Sequence, residues 1–401
     1  MKVLFVAAWF PYPADNGSRI RTYQLIKALS NKHEVYLVSL LQDDSDPVNV
    51  KYLSDICNVV SLHPSRWFKP GSFKSMLGYL SSRPRSMVDI YDPAVRSSVG
   101  RVLNEIKPDV VIASTLGVVE YVSRPLDIPC ILDEHNCEYA VLRRNAANID
   151  GALKRLRYDA GWKKFARWES GVCRSFDSVV MVSDGDCELM LEAAPDLRNL
   201  EVVPNGVDTD HYDPANRHSE QSTLIYNGAV TFRANLDAVR YFTSDIYPLL
   251  IQSMRDIKLR ITGRTTGIDL RGISDCPGIE FTGYVNDIRD VLASSALCVV
   301  PLRQGGGSRL KILEAMAAGV PVVSTSIGAE GIDGVDGRHL LLADTPQNFA
   351  DCILRLLNDE SMAAEMAADA RKLVEERYSW LALGQSFVDI VESTCQAHIS
   401  S

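Results

Sequence analysis

The 401-residue sequence has no C-x-x-C pair and no zinc-type spacing of cysteine and histidine. It also has no apolar run of the ~18–20 residues that a membrane-spanning helix needs. Nine cysteines lie scattered from Cys57 to Cys395 without a disulfide framework, which excludes the small stapled folds of secreted proteins. Free thiols in a reducing, cytoplasmic compartment are expected. No G-x-G-x-x-G follows the first apolar segment, which disfavours a dinucleotide oxidoreductase, and no Ser-His-Asp or zinc pattern suggests hydrolysis. An excess of positive charge is missing too. Residues 1–200 carry 25 Lys and Arg against 24 Asp and Glu, and residues 201–401 carry 17 against 27. An acidic second half is unsuited to a nucleic-acid backbone, so no nucleic-acid partner is expected. The opening MKVLFVAAWF has a single lysine ahead of its apolar stretch and no small-residue cleavage pattern before Pro11-Tyr12-Pro13. It reads as a buried strand rather than a leader.

What is present is alternation. VLFVAAWF, EVYLVSL, DVVIAST (109–115), CILDEHN (130–136), SVVMVS (178–183) and EVVPNG (201–206) are short apolar strands separated by helical patterns. PNGVDTDHYDPANRHSEQS (204–222) lacks apolar periodicity and reads as a linker. Alternation restarts with TLIYNGA, KLRITGR, IEFTGYV, ALCVVPL and VPVVST, and a helical stretch of roughly 361–397 ends the chain. Two such sets predict an α/β protein of two Rossmann-like, doubly wound parallel-sheet domains facing one another across a cleft. Ligands in these folds sit at the carboxyl ends of the strands.

The segment ALCVVPLRQGGGSRLKILEAMAAGVPVVST is the most informative. A strand ends at Leu302, Gly305, Gly306 and Gly307 form a loop, and a helix starts near Ser308. Glycines let a backbone approach a ligand, and a helix start offers unpaired N–H groups with partial positive charge, so the arrangement fits a phosphate. Lys311 and Glu314, three apart, share a helical face and are expected to hold a diphosphate and a ribose respectively. Glu314 lies in an otherwise apolar stretch, where a carboxylate needs a reason to be.

LEAMAAGVPVV resembles the nucleotide-binding motif of the retaining glycosyltransferases numbered family four. GGG(S/T)RLKxLEAMA resembles a subset of bacterial exopolysaccharide sugar transferases. The loop with Gly17, the DEHN and NGVD segments, FTGYVND and the terminal YSW extend the resemblance over nearly the whole chain. It implies the GT-B fold, with an acceptor-side domain at 1–205, a nucleotide-sugar domain at 206–377, and a last helix at about 378–401 crossing back. It also implies transfer of a sugar from a nucleotide diphosphate-sugar, a UDP-sugar favoured, to a glycan, lipid-linked or small-molecule acceptor, with retained configuration.

Two departures from the family pattern matter. The first glutamate of the family's pair is replaced by Gly306, so Glu314 inherits the ribose role alone. The family's Arg and Lys after the glycine at Gly228 are replaced by Ala229 and Asn235, so Arg309 and Lys311, with Arg264, are expected to restore the charge. Gly17 is expected to bring its backbone against the donor. His135, following a strand, is expected near the transferred sugar and β-phosphate, and Tyr284 and Val285 at the base.

Asp44-x-Asp46, Asp184-x-Asp186 and Asp208-x-Asp210 match metal-binding pairs of other glycosyltransferases, but they sit in loop or cap contexts. No metal or other cofactor is expected, because N–H donors and cations can stabilise the leaving diphosphate. Residues 64–85 carry five basic residues, no acid and several aromatics, and residues 140–175 add nine basic residues against three acids. These stretches suit an anionic membrane surface and a membrane-held acceptor, with Arg143 and Arg144 meeting an acceptor phosphate. A nucleotide-sugar epimerase and a non-catalytic sugar-nucleotide-binding subunit remain alternatives.

Overall fold

A computed structural model describes residues 1–42, 47–122, 127–147, 149, 151–273, 276–285, 287–304 and 309–400. The chain divides into two compact units, Met1–Asn205 with Leu383–Ser401, and Gly206–Ala382.

The first unit is built on seven parallel strands: β1 (Lys2–Ala7), β2 (Glu34–Leu41), β3 (Asn58–Pro64), β4 (Val110–Ser114), β5 (Cys130–Asp133), β6 (Ser178–Met181) and β7 (Leu200–Val202). Their order is β3-β2-β1-β4-β5-β6-β7. Strands β1, β4, β5 and β6 are buried almost throughout, as expected when helices cover both faces of a sheet. The helix Gly17–Ser30 lays Leu25, Ile26 and Leu29 on the core. The order reverses between β1 and β4, which opens a crevice at their carboxyl ends.

The second unit holds six parallel strands: β8 (Glu220–Asn227), β9 (Lys258–Thr262), β10 (Ile279–Gly283), β11 (Ser295–Val300), β12 (Val322–Ser324) and β13 (Leu341–Leu342). Their order is β10-β9-β8-β11-β12-β13, and the reversal falls between β8 and β11.

Three local expectations need correction. Strands β3 and β13 were not anticipated: β3 is an edge strand of mixed exposure, and β13 is only two residues long. The terminal helical stretch is two helices, Glu360–Arg377 and Trp380–Ser400. The chain breaks at Tyr378 and Ser379, where the Tyr378 carbonyl accepts the Val207 N–H and the Tyr378 hydroxyl accepts the Asp333 N–H. The polar 204–222 stretch is not a loose tether either. Arg371 holds the carbonyls of Thr209 and Tyr212, Arg217 holds that of Gly319, and β8 already begins at Glu220.

Candidate active site

In the second unit the two strands at the reversal deliver their ends to one place. Strand β8 runs out at Asn227 and Gly228, and β11 leads to the helix Leu310–Ala317. Gly306, Gly307 and Ser308 lie outside the described residues.

Lys311, on the first turn of that helix, donates to the Tyr226 hydroxyl and to Asn235 Oδ1, each at 3.0 Å. Its Nζ stands 4.2 Å from the centre of the Tyr226 ring. The Tyr226 hydroxyl donates to Asn235 Oδ1 at 2.8 Å, and Asn235 Nδ2 donates to the Ala229 carbonyl at 2.9 Å. Asn235, where the family pattern carries a cation, is thus occupied by the ammonium of Lys311 arriving from a different helix. Burial pulls Lys311 down to about 8.

One turn along, Glu314 Oε2 accepts from Asn227 Nδ2 at 2.8 Å, and the Tyr212 hydroxyl also bonds this carboxyl. Burial pushes Glu314 up to about 7 despite those bonds. Gly228 leaves the ammonium its space: a Cβ there would stand 2.8 Å from Lys311 Nζ. An ammonium and a carboxyl on one helical face beside a glycine turn can take a phosphate and a diol side by side.

The other expected members of this site are dispersed around it. Arg309 is buried, and its guanidinium donates to the Ile327 carbonyl at 2.8 Å and reaches Glu330 at 3.5 Å. Arg264 follows β9, is exposed, and lies 5.9 Å from the ring centre of the exposed Tyr284. Val285, beside Tyr284, is half-buried.

In the first unit His135 follows β5 and is buried. Its Nε2 lies 3.0 Å from Asp133 Oδ2 and 3.3 Å from Ser114 Oγ, so a carboxylate fixes the ring's orientation. Asp133 Oδ1 is 2.7 Å from Arg21 Nη2, and neither side chain is exposed at all. Burial would raise this carboxyl, but the Arg21 guanidinium and then His135 hold it well below the usual carboxylate range. Arg21 also donates to the carbonyl of Val203 at 2.8 Å.

The Trp9 and His135 ring centres are 5.7 Å apart, and both line a cavity of about 440 Å³ at the carboxyl edge of this sheet. Thr115, on the same wall, has a φ of 76°, an outlier for a β-branched residue. Gly17 opens the helix after β1, capped by Asn16.

Arg143 is paired with Glu192 at 2.9 Å, and Arg144 is exposed on the same helix, Glu138–Ala147. That helix is capped by a carboxylate: the buried Glu169 accepts the N–H groups of Glu138 and Tyr139, both at 2.8 Å.

Among the described residues no three metal-ligating side chains gather. Asp186 accepts the distant Cys137 N–H and Asp208 the nearby His211 N–H, and Asp44 and Asp46 lie outside the described residues. No helix among the described residues is long and apolar enough to cross a membrane. Within the basic 64–85 stretch one short helix forms, Phe73–Leu77, and a second, Arg85–Ile90, begins at its last residue. Two of its arginines are paired, Arg66 with Asp92 at 2.8 Å and Arg83 with Glu120 at 3.1 Å.

Sequence reasoning missed Tyr226, Asn227 and Tyr212 around the cation and carboxyl, and Arg21 behind His135. Arg21 left a signal: it stands four and eight residues before Leu25 and Leu29, a charge on an apolar helix face. Tyr226 left none, because a tyrosine in a buried strand reads as core.

Residues 15–211 match the family model described as Glycosyltransferase Family 4, and residues 221–359 the one described as Glycosyl transferases group 1. An uncharacterized 44.6 kDa protein in the cps region of Klebsiella pneumoniae is 25% identical over 94% of this chain and 96% of that protein. The GDP-mannose-dependent alpha-(1-6)-phosphatidylinositol monomannoside mannosyltransferase of Mycobacterium tuberculosis is 25% identical over 61% of this chain and 71% of its own length. Among solved structures, Alr3699/HepE of Anabaena in complex with UDP and glucose superposes with a TM-score of 0.66 at 16% identity, covering 98% of this chain and 100% of that one. At that identity the likeness establishes the fold.

Proposed function

This chain belongs to the family-four glycosyltransferases of GT-B fold, and we propose from that premise that it moves a sugar from a nucleoside-diphosphate donor to an acceptor hydroxyl with retained anomeric configuration. The observation that carries the reading is the Lys311 ammonium lodged against Gly228, one helical turn from the Glu314 carboxyl, at the β8–β11 reversal.

In the reaction the anomeric C–O bond to the diphosphate breaks, the acceptor oxygen bonds the same face, and its proton passes to a diphosphate oxygen. The chain's task is to stabilise charge on the leaving group. Lys311 and the N–H groups at the start of its helix do this, each such contact contributing on the order of 0.3–2 kcal/mol. Glu314 accepts the ribose hydroxyls. Tyr284 and the Val285 backbone meet the base, Arg264 adds positive charge for the diphosphate, and His135 and the Gly17 backbone serve the transferred sugar. Arg309, already bonded to the Ile327 carbonyl, acts at longer range. With protein cations in these places the reaction needs no metal.

A UDP-sugar is the favoured donor, a reading supported by the UDP and glucose named for the Anabaena structure. The mycobacterial relative is named for GDP-mannose, which makes a GDP-sugar the competing outcome. The acceptor is lipid-linked or a glycan, met at the cytoplasmic membrane face. Support for membrane contact comes from the helix Ala152–Cys173, whose first turns expose Leu153 and Leu156 beside Lys154, Arg155 and Arg157. Flotation with anionic vesicles at low salt tests the contact, and failure to float removes it.

For the activity, a thermal-shift screen of UDP-, GDP-, TDP- and ADP-sugars identifies the donor, since a ligand at 100 times its Kd stabilises by about 2.7 kcal/mol. Labelled donor is then incubated with acceptor extract. Sugar incorporation with nucleoside diphosphate release is expected. Epimerised donor without acceptor, or binding without transfer to any extract, overturns the reading.

A further inference from the structure

The cavity beside His135 has a shape and lining that the donor reading does not use. It runs along the carboxyl ends of the first sheet from β3, at Pro64, to β5, at Glu134. Those strands are four places apart in the order β3-β2-β1-β4-β5, which is roughly 19 Å at the usual inter-strand spacing. The cavity along that length measures about 440 Å³. Leu40, Met87, Ile90, Leu116 and Phe165 form its sides. Polar members stand at both ends: Ser65 and Arg66, the latter paired with Asp92, at the β3 end, and at the β5 end His135 and the buried Glu134, whose Oε2 has no hydrogen-bond partner among the described residues.

The β3 end opens on Trp67 and Phe68, which are 69% and 40% exposed, and the chain beyond them shows Phe73 and Leu80 at 76% and 90%. This apolar track is held outward by its backbone. Asp89 accepts the Lys69 N–H at 2.6 Å, Arg85 donates to the Pro70 and Ser75 carbonyls, and Lys164 donates to the Gly78 carbonyl at 2.7 Å. A pinned segment that keeps aromatic and aliphatic side chains in water, next to a largely apolar slot and with five basic residues but no acid of its own over 64–85, fits an aliphatic chain whose owner sits at an anionic surface.

We propose that this slot holds an aliphatic chain of the acceptor, entering past Trp67 and Phe68 and presenting the acceptor's hydroxyl end at His135 and Glu134. The proposal rests on the glycosyltransferase reading for the word acceptor; the chain site itself does not.

The test titrates the full chain with alkyl glucosides of increasing length, below their micellar concentrations, following tryptophan fluorescence from Trp9 and Trp67. Each added methylene is expected to raise affinity about fourfold until the slot is full. Affinity independent of chain length overturns the proposal. Met87→Trp, which fills the slot, is expected to abolish the length dependence while UDP binding by calorimetry stays unchanged. A length dependence that survives Met87→Trp places the chain on the outer track and likewise overturns the slot, and Leu116→Trp repeats the test should the first variant fold poorly. Chain-length-dependent binding without any sugar transfer sinks the enzymatic reading and keeps the slot. Transfer to water-soluble acceptors regardless of chain length does the reverse.

Discussion

Gly228→Ala places a methyl group where the Lys311 ammonium now rests. The new Cβ would stand 2.8 Å from Lys311 Nζ and 3.0 Å from Asn235 Nδ2. Both are side-chain atoms, and Gly228 is not among the residues of positive φ, so the backbone tolerates the change and the ammonium swings aside. In moving, it gives up its bonds to Tyr226 and Asn235 and its place over the ring. A hydrogen bond to a charged group is worth about 1.5–3 kcal/mol, so losing it from a bound diphosphate weakens nucleotide affinity about ten- to hundredfold. The apo fold loses those bonds as well, so its stability should fall by about 1.5–3 kcal/mol. Calorimetric titration with UDP and GDP, beside thermal unfolding of the apo protein, reads both numbers. An unchanged Kd in a folded variant of lowered Tm would refute the reasoning, because the ammonium would then have moved without the nucleotide noticing.

Nucleotide affinity should peak between about pH 7 and 8, since Glu314 ionises near 7 and Lys311 loses its proton near 8; a flat Kd from pH 6 to 9.5 contradicts this. The same lysine makes the apo protein gain stability as pH rises from about 8 to its ordinary 10.5, because there the unfolded chain binds the extra proton. Lys311→Ala should raise the donor KM severalfold or more, and adding Asn235→Lys should recover most of the loss, Asn235 Oδ1 being 3.0 Å from the present Nζ. No recovery in a folded double variant would mean that Lys311 acts elsewhere. Arg21→Met strands Asp133 as a buried charge and should destabilise the first unit by about 3–5 kcal/mol in denaturant unfolding; a loss below 1 kcal/mol would contradict that.

Much of this was legible because apolar strand runs and glycine turns are local signals. The strand ends at Asn227, Asp133 and Val300 lie within the segments that the pattern of residues marks. The helical spacing of Lys311 and Glu314 likewise places both on one face. What stayed hidden is pairing over long sequence distances. Nothing local tells that Lys311 reaches Asn235, that Asn227 meets Glu314, or that Arg21 reaches Asp133. Nor could composition reveal that Arg66 and Arg83 of the basic stretch already face Asp92 and Glu120. Strands β3 and β13 escaped because edge position and brevity dilute the apolar run that signals a buried strand.

The most direct test is a crystal structure of the chain soaked with a nucleoside diphosphate, read by difference density. Phosphate oxygens within hydrogen-bond distance of Lys311 Nζ, with ribose hydroxyls on the Glu314 carboxyl, are the predicted result. A nucleotide bound away from both residues, with Lys311 still closed on Tyr226 and Asn235, would contradict the account.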